Sequence, residues 1–454
     1  MSTLKMLVGA ALAFALLSTS AMADTIDPGL NPGITQTVNP LHPPFPFHPP
    51  PPPPPGPPTV VSVGDSAISG EAGRWAGNTN GLFVSTDALG PIAYNDNATG
   101  TAETIPGCHR SSSAEVHIGG GVTSVNLACS GAKTSTYVEP STGNFKPGLD
   151  FKDIPGVGKG QALMLQDYAA AHPNSIKAVV VLIGANDYNW LDVAATCVKD
   201  WAFGQPPLSF LLGSQSAYCQ GDASLQAHFS PANINAQTIA LRDAFANVHQ
   251  AMYNAGYKDD SKYKIIVQTY ASEIPFGGGF RYPEAGLGRQ TTGGCGIYDI
   301  DASWVDGFVV PIINHTIRNA AGAVPGLGLP GGGNNLDVLD ATNALAGHRL
   351  CEKGVGTLEE TGVQNWHDPR AADASEWVQR IRTPSFGFPI DLYVPPITPP
   401  YQYQENAHPN YWGQLALRNC FRQAYNNGSP HGGTCTFSGV LGLNATGEPN
   451  MILR

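Results

Sequence analysis

Apolar residues in this chain gather in short runs rather than in long alternating stretches. Ala178-Val179-Val180-Val181-Leu182-Ile183 and Lys264-Ile265-Ile266-Val267 have almost no polar interruption, and Thr59-Val60-Val61-Ser62-Val63 is dominated by β-branched residues. Runs of this kind predict strands at 59–63, 177–183 and 262–270 that are buried on both faces, the mark of a parallel sheet covered by helices. A further strand is predicted at 124–128, and helices at 160–171, 231–255, 303–320 and 409–426. In the last of these, Pro409 suits the first helical position, and Trp412, Leu415, Ala416 and Phe421 make one apolar face. Strands and helices alternate, so the predicted fold is a three-layer α/β/α sandwich around a parallel sheet. No fixed-period repeat interrupts it. Loop-rich stretches at 188–230, 275–300 and 322–400 predict insertions.

Two segments before residue 59 lie outside this pattern. Residues 1–23 read as an export signal: Lys5 in a basic start, an apolar core from Leu7 to Leu17, and Ala21-Met22-Ala23 as a small-residue cleavage pattern. The apolar core is shorter than the about 20 residues a membrane span needs. Residues 24–58 hold fifteen prolines, seven of them consecutive from Pro49 to Pro55, which predicts a polyproline II linker. At ~3.1 Å per residue, the ten residues from Pro49 to Pro58 would reach about 30 Å. His42 and His48 read there as solvated linker, not as metal ligands. Residues 59–454 then predict one large domain.

The formal net charge is −11, and loss of residues 1–23 removes one lysine and no acid, leaving −12. So acidic a chain lacks the basic footprint of a nucleic-acid binder and gains no attraction to anionic membranes. Eight cysteines, at 108, 129, 197, 219, 295, 351, 420 and 435, predict disulfides in an exported protein. Pairing in sequence order would close four modest loops, but spacing alone leaves the connectivity open. Neither CxxC nor HExxH occurs, so a metal site is not expected.

Candidate chemistry sits at the ends of predicted elements. Gly64-Asp65-Ser66 breaks the first strand, and a serine hydroxyl placed there can attack a carbonyl while its own N–H faces the resulting oxyanion. A helix cap made by Asp65 or Ser66 is the plainer alternative. Asn126-Leu127-Ala128-Cys129-Ser130-Gly131-Ala132 runs from a strand into a tight turn, where Gly131 allows close approach of a backbone N–H or serves as an ordinary loop glycine. Gly184-Ala185-Asn186-Asp187 follows the most apolar strand, where ligands collect in doubly wound sheets. Asn186 can donate to an oxyanion from there, or cap a turn. Late in the chain, Gln404-Glu405-Asn406-Ala407-His408-Pro409-Asn410 places His408 at a loop–helix junction with Glu405 three residues earlier. A carboxylate or carbonyl at that spacing can accept from one ring nitrogen and leave the other basic toward a serine.

Together these four blocks resemble the SGNH hydrolases, the GDSL-type esterases and lipases, with Ser, Gly, Asn and His in order. The stretches around Cys129-Ser130-Gly131 and His408-Pro409-Asn410 resemble the disulfide-bearing extracellular actinobacterial branch. The resemblance implies a flavodoxin-like sandwich and ester hydrolysis through an acyl-enzyme without a cofactor. It implies Ser66 as nucleophile, His408 as general base and then acid, and an oxyanion hole from the N–H groups of Ser66 and Gly131 and the side chain of Asn186. It also implies disulfides Cys108–Cys129, Cys197–Cys219, Cys295–Cys351 and Cys420–Cys435. One position departs from the pattern: the family's usual Asp is here Glu405, which leaves its side chain, its carbonyl or Asp391 to orient His408. Asp65 is expected to hold the turn. The expected protein is a secreted monomer acting on a small-molecule or lipid ester. A carbohydrate acetyl esterase, or a non-catalytic surface binding protein on a Pro-rich stalk, are the alternatives.

Overall fold

Strand β1 (Thr59–Gly64) is buried along its whole length, as its β-branched run predicts. A computed structural model describes residues 56–79, 86–140, 142–206, 209–210, 217–382 and 404–454. The export signal, nearly all of the Pro-rich linker and Asp391 therefore lie outside the described residues. From Pro54 to Arg454 the chain makes one compact unit.

The main sheet contains β1, β2 (Thr123–Asn126), β3 (Ile176–Leu182), β4 (Lys264–Gln268), β5 (Leu336–Asp340), β6 (Gly433–Phe437) and β7 (Met451–Leu453). Their spatial order is β7-β6-β5-β4-β3-β1-β2. All neighbours run parallel except β6 and β7, which are antiparallel at one edge. The order β2-β1-β3-β4-β5 is the flavodoxin-like winding, and its direction reverses between β1 and β3. Ser66 follows the first of those strands and Asn186 the second.

The helical layers follow from the same patterning. Helix α1 (Ser66–Ser69) is a single turn after β1. Helix α2 (Gln161–Ala171) packs on α4 (Pro231–Asn254), and α4 packs on α5 (Val310–Ala323). After β3 in the chain comes α3 (Trp190–Gly204), which turns Val193, Cys197, Val198 and Trp201 inward. Helix α6 (Tyr411–Tyr425) packs against β6 and β7 and buries Trp412, Leu415, Ala416, Cys420, Phe421 and Ala424. The result is the three-layer α/β sandwich predicted from the pattern. Val60, Val61, Val63, Val179, Val180, Val181, Ile265, Ile266 and Val267 are all fully buried in its sheet. Burial of each such side chain contributes roughly 1.5–3 kcal/mol relative to exposure.

Several boundaries differ from expectation for local reasons. Helix α6 begins at Tyr411 rather than at Pro409, because the Asn410 side chain accepts from the N–H groups of Trp412 and Gly413 and caps it there. The predicted helix 303–320 starts earlier, at Asp299, and passes through one wide turn at Val305–Val309 before α5. The 322–400 stretch is not wholly an insertion, since β5 lies within it as an interior strand. Nor is 188–230 only loop, since it contains α3. The four disulfides join the cysteines in sequence order: Cys108–Cys129, Cys197–Cys219, Cys295–Cys351 and Cys420–Cys435.

Candidate active site

The turn after β1 is built to present one hydroxyl. Gly64 has φ 141°, and a Cβ there would lie 1.9 Å from the Leu182 carbonyl oxygen, so only glycine fits. Its N–H and C=O are both held by the side chain of Gln161, at 2.6 and 2.8 Å. Asp65 follows with its N–H on the Leu182 carbonyl (3.0 Å), and its carboxylate accepts from Ala67 N–H at 3.2 Å and from the Tyr270 hydroxyl. Asp65 thus caps α1 and holds the turn, as the sequence suggests. Burial pushes its carboxyl up to about 7, against the hydrogen bonds from Tyr270 and Ala67, with the nearby Asp187 pushing the same way as burial. Ser66 is left half-buried at the start of α1.

His408 reaches that hydroxyl. Its Nε2 lies 2.7 Å from Ser66 Oγ, although the two residues are 342 positions apart. Its Nδ1 lies 2.8 Å from the backbone oxygen of Asn406, an acceptor only. Nδ1 must therefore carry the proton in the neutral ring, and Nε2 is free to accept from Ser66. Ala407 adopts φ 53°, a left-handed conformation unusual for a residue with a Cβ, and this turns the Asn406 carbonyl toward the ring. The loop is clamped by the neighbouring segment: Ala407 N–H donates to Gln379, Gln379 N–H to the His408 carbonyl, and the Asn406 side chain bridges both backbone groups of Arg382. Burial holds the His408 imidazole below its ordinary value, while the charge of Glu71 pulls the other way.

Glu405 does not sit on the ring. Its Oε2 accepts from the indole of Trp75 at 2.7 Å and its Oε1 from the hydroxyl of Tyr94 at 2.6 Å, and it is almost fully buried between them. Burial, reinforced by the charge of Glu71, pushes its carboxyl up to about 7 against those two hydrogen bonds. The ring is thus held by backbone oxygens rather than by the Glu405 carboxylate: the Asn406 oxygen bonds to Nδ1, and the backbone oxygen of Glu405 also favours the protonated imidazole.

The remaining candidates lie on loops tied to this turn. Asn186 donates one amide hydrogen to the Ala132 carbonyl at 3.0 Å, which fixes its plane and leaves the second hydrogen of the NH₂ group. Gly131 has φ 78°, and a Cβ there would press to 3.3 Å on Lys146. Its loop is fixed by Cys129 N–H on the Gly64 carbonyl (3.0 Å), by the Cys108–Cys129 disulfide, and by Lys146 Nζ on the Ser130 carbonyl (2.8 Å). Asp187 takes the backbone and hydroxyl of Thr134, tying the loop after β3 to the one that follows Gly131.

Against these residues the known proteins give little. No protein-family model matches the chain, and no curated protein does. Solved structures similar to it include two Streptomyces proteins. One is the extracellular lipase from Streptomyces rimosus, at 14% identity and a TM-score of 0.37, covering 79% of this chain and 94% of the other. The second is phospholipase A1 from Streptomyces albidoflavus, at 15% identity and a TM-score of 0.36, covering 80% of this chain and 96% of the other.

Sequence reasoning passed over Tyr270, whose hydroxyl joins Asp65 to the N–H of Ala185 at 3.0 Å and so couples the loops after β1 and β3. Its place as the last residue of the predicted strand 262–270 was the available signal. Asn126 was likewise read only as part of a block, yet its amide donates to the Ser69 carbonyl (2.9 Å) and accepts from Ser62, holding α1 against β2.

Proposed function

We propose that this chain is a secreted carboxylic-ester hydrolase of SGNH type that works through an acyl-enzyme on Ser66. The observation that carries the reading is the 2.7 Å pair between Ser66 Oγ and His408 Nε2 at the carboxyl end of the sheet. As Oγ attacks the ester carbonyl carbon, its proton passes to Nε2, and the imidazolium keeps its Nδ1–H on the Asn406 carbonyl. The carbonyl oxygen, now negative, faces the N–H groups of Ser66 and Gly131 and the spare amide hydrogen of Asn186. His408 then returns the proton to the departing alcohol, and the carbon–oxygen bond to that alcohol breaks. Water repeats the sequence on the acyl-enzyme and releases the acid. The four disulfides suit an oxidising compartment, and no helix among the described residues is long and apolar enough to cross a membrane.

The test is hydrolysis of p-nitrophenyl acetate, butyrate and palmitate, which also reads the acyl length the crevice prefers. Ser66→Ala should lower kcat by about 10⁴-fold or more with unchanged thermal stability. A fluorophosphonate adduct on another serine, with Ser66 unmodified, would sink the assignment.

A further inference from the structure

A second carboxylate lies beneath this site, and the mechanism above does not use it. Glu71 is fully buried two residues beyond the end of α1, and its N–H donates to the Ser66 carbonyl at 3.1 Å. Both of its carboxylate oxygens lie 2.8 Å from His109 Nδ1, and the Ser130 side chain, adjacent to Gly131, also bonds to it. His109 adopts φ 49°, and the ring of Tyr94 stacks on it at 4.6 Å. Tyr94 in turn donates to Glu405, on the loop that carries His408. One buried carboxylate is therefore tied to the Ser66 turn and the Gly131 turn directly, and to the His408 loop through two rings.

A buried carboxylate is expensive unless it is paired, so its retention asks for a reason. Burial pushes the Glu71 carboxyl up, but the charge and hydrogen bond of His109, the charge of His408 and the bond from Ser130 together hold it below its ordinary range. Glu71 is thus ionised. Facing it and His408 are His109, whose own value Glu71 raises against burial, Glu103 at 3.6 Å from His109 Nε2, Glu405, and Lys146. Of these, Glu71 is the strongest influence favouring protonated His408, and His109 opposes it. The Asn406 carbonyl orients the ring but brings only a dipole to the imidazolium that forms when Ser66 gives up its proton.

We infer that Glu71 is a positioning residue that supplies, from beneath the Ser66 turn, the negative charge that a triad acid would otherwise place on the ring of His408. The inference rests on the ester-hydrolase reading above. It divides the work of a triad acid between two groups: the Asn406 carbonyl sets the tautomer, and Glu71 stabilises the charge.

The experiment is the pH dependence of kcat/KM for p-nitrophenyl butyrate with the full chain, whose acid limb reports the free enzyme's base. Glu71→Gln should move that limb to lower pH by about half a unit or more, and lower kcat about tenfold or more with KM little changed. His109→Gln removes the charge that keeps Glu71 ionised against burial, so it should move the limb downward as well. Two variants that lose thermal stability and rate alike, with the limb in place, would mark Glu71 as structural and overturn the inference. If Glu71→Gln alone does not fold, the neutral pair Glu71→Gln/His109→Gln is measured instead, and its limb should still lie below the wild type's. Absence of a fluorophosphonate adduct on wild-type Ser66 would overturn the hydrolase reading and this role with it. An adduct together with an unmoved limb in the Glu71 variant overturns the role of Glu71 alone.

Discussion

Glu405→Gln separates a carboxylate that works on the histidine from one that only packs near it. A triad acid made neutral costs on the order of 10⁴-fold in kcat. Here the carboxylate faces Trp75 and Tyr94, and His408 Nδ1 faces the Asn406 carbonyl, so the variant should keep kcat within about tenfold. The stability effect is equally specific. Glutamine reproduces the protonated acid: its oxygen can accept from the Trp75 indole, and its NH₂ can donate to the Tyr94 hydroxyl, which both donates and accepts. The folded-state carboxyl is raised from 4.5 to about 7, so the folded chain holds a proton that the unfolded chain releases across that window. Stability from this group is therefore present below pH 4.5 and lost as pH rises toward 7, by about 3 kcal/mol in all. Urea denaturation should find the variant within about 1 kcal/mol of wild type at pH 5 and more stable at pH 8. A loss of 10³-fold or more in kcat with the fold intact would refute the backbone assignment. A stability difference that ignores pH would refute the protonation argument independently.

Two further outcomes are expected. Asn186→Ala should lower kcat by roughly 10²–10³ with KM little changed, since its free amide hydrogen is assigned to the transition state; lost thermal stability with full specific activity would mark it as a turn cap. Tyr270→Phe removes the partner of both Asp65 and the Ala185 N–H, and should cost about 2–3 kcal/mol in denaturation because buried polar groups are left unpaired; unchanged stability would show that the two loops do not depend on it.

Which parts of this fold were legible follows from what each part must satisfy. Strands β1, β3 and β4 are covered on both faces, so nearly every residue in them is apolar and the run announces itself. Strand β5, Leu336-Asp337-Val338-Leu339-Asp340, is just as interior to the sheet but reads as loop. Asp337 pairs with Lys264 at 3.2 Å, and Asp340 takes the hydroxyls of Thr269 and Thr342 at the strand's end, so polar residues are satisfied there at no cost to the sheet. Flanking glycines complete the disguise. Helix α3 carried a readable spacing in Val193, Cys197, Val198 and Trp201, but lay inside the 188–230 stretch, which reads as an insertion.

The site divides along a different line. Ser66, Gly131, Asn186 and His408 could be named because the proposed chemistry asks for a particular side chain, or the lack of one, at the end of a particular element. The group on the far side of His408 needs neither. A backbone carbonyl exists at every residue, so nothing in Glu405-Asn406-Ala407-His408 distinguishes the Asn406 oxygen except the left-handed turn at Ala407, and alanine gives no hint of that. Once a carbonyl holds the ring, the nearby acid is released from its usual post. Glu405 can then be drawn off by Trp75 and Tyr94, residues more than 300 positions away in the chain. What remains unmet by a carbonyl is full negative charge, and the buried acid placed to meet it, Glu71, belongs to the nucleophile's own turn rather than to the histidine's loop. Spacing from His408 therefore points to the wrong acid, because position and charge have been assigned to separate parts of the chain.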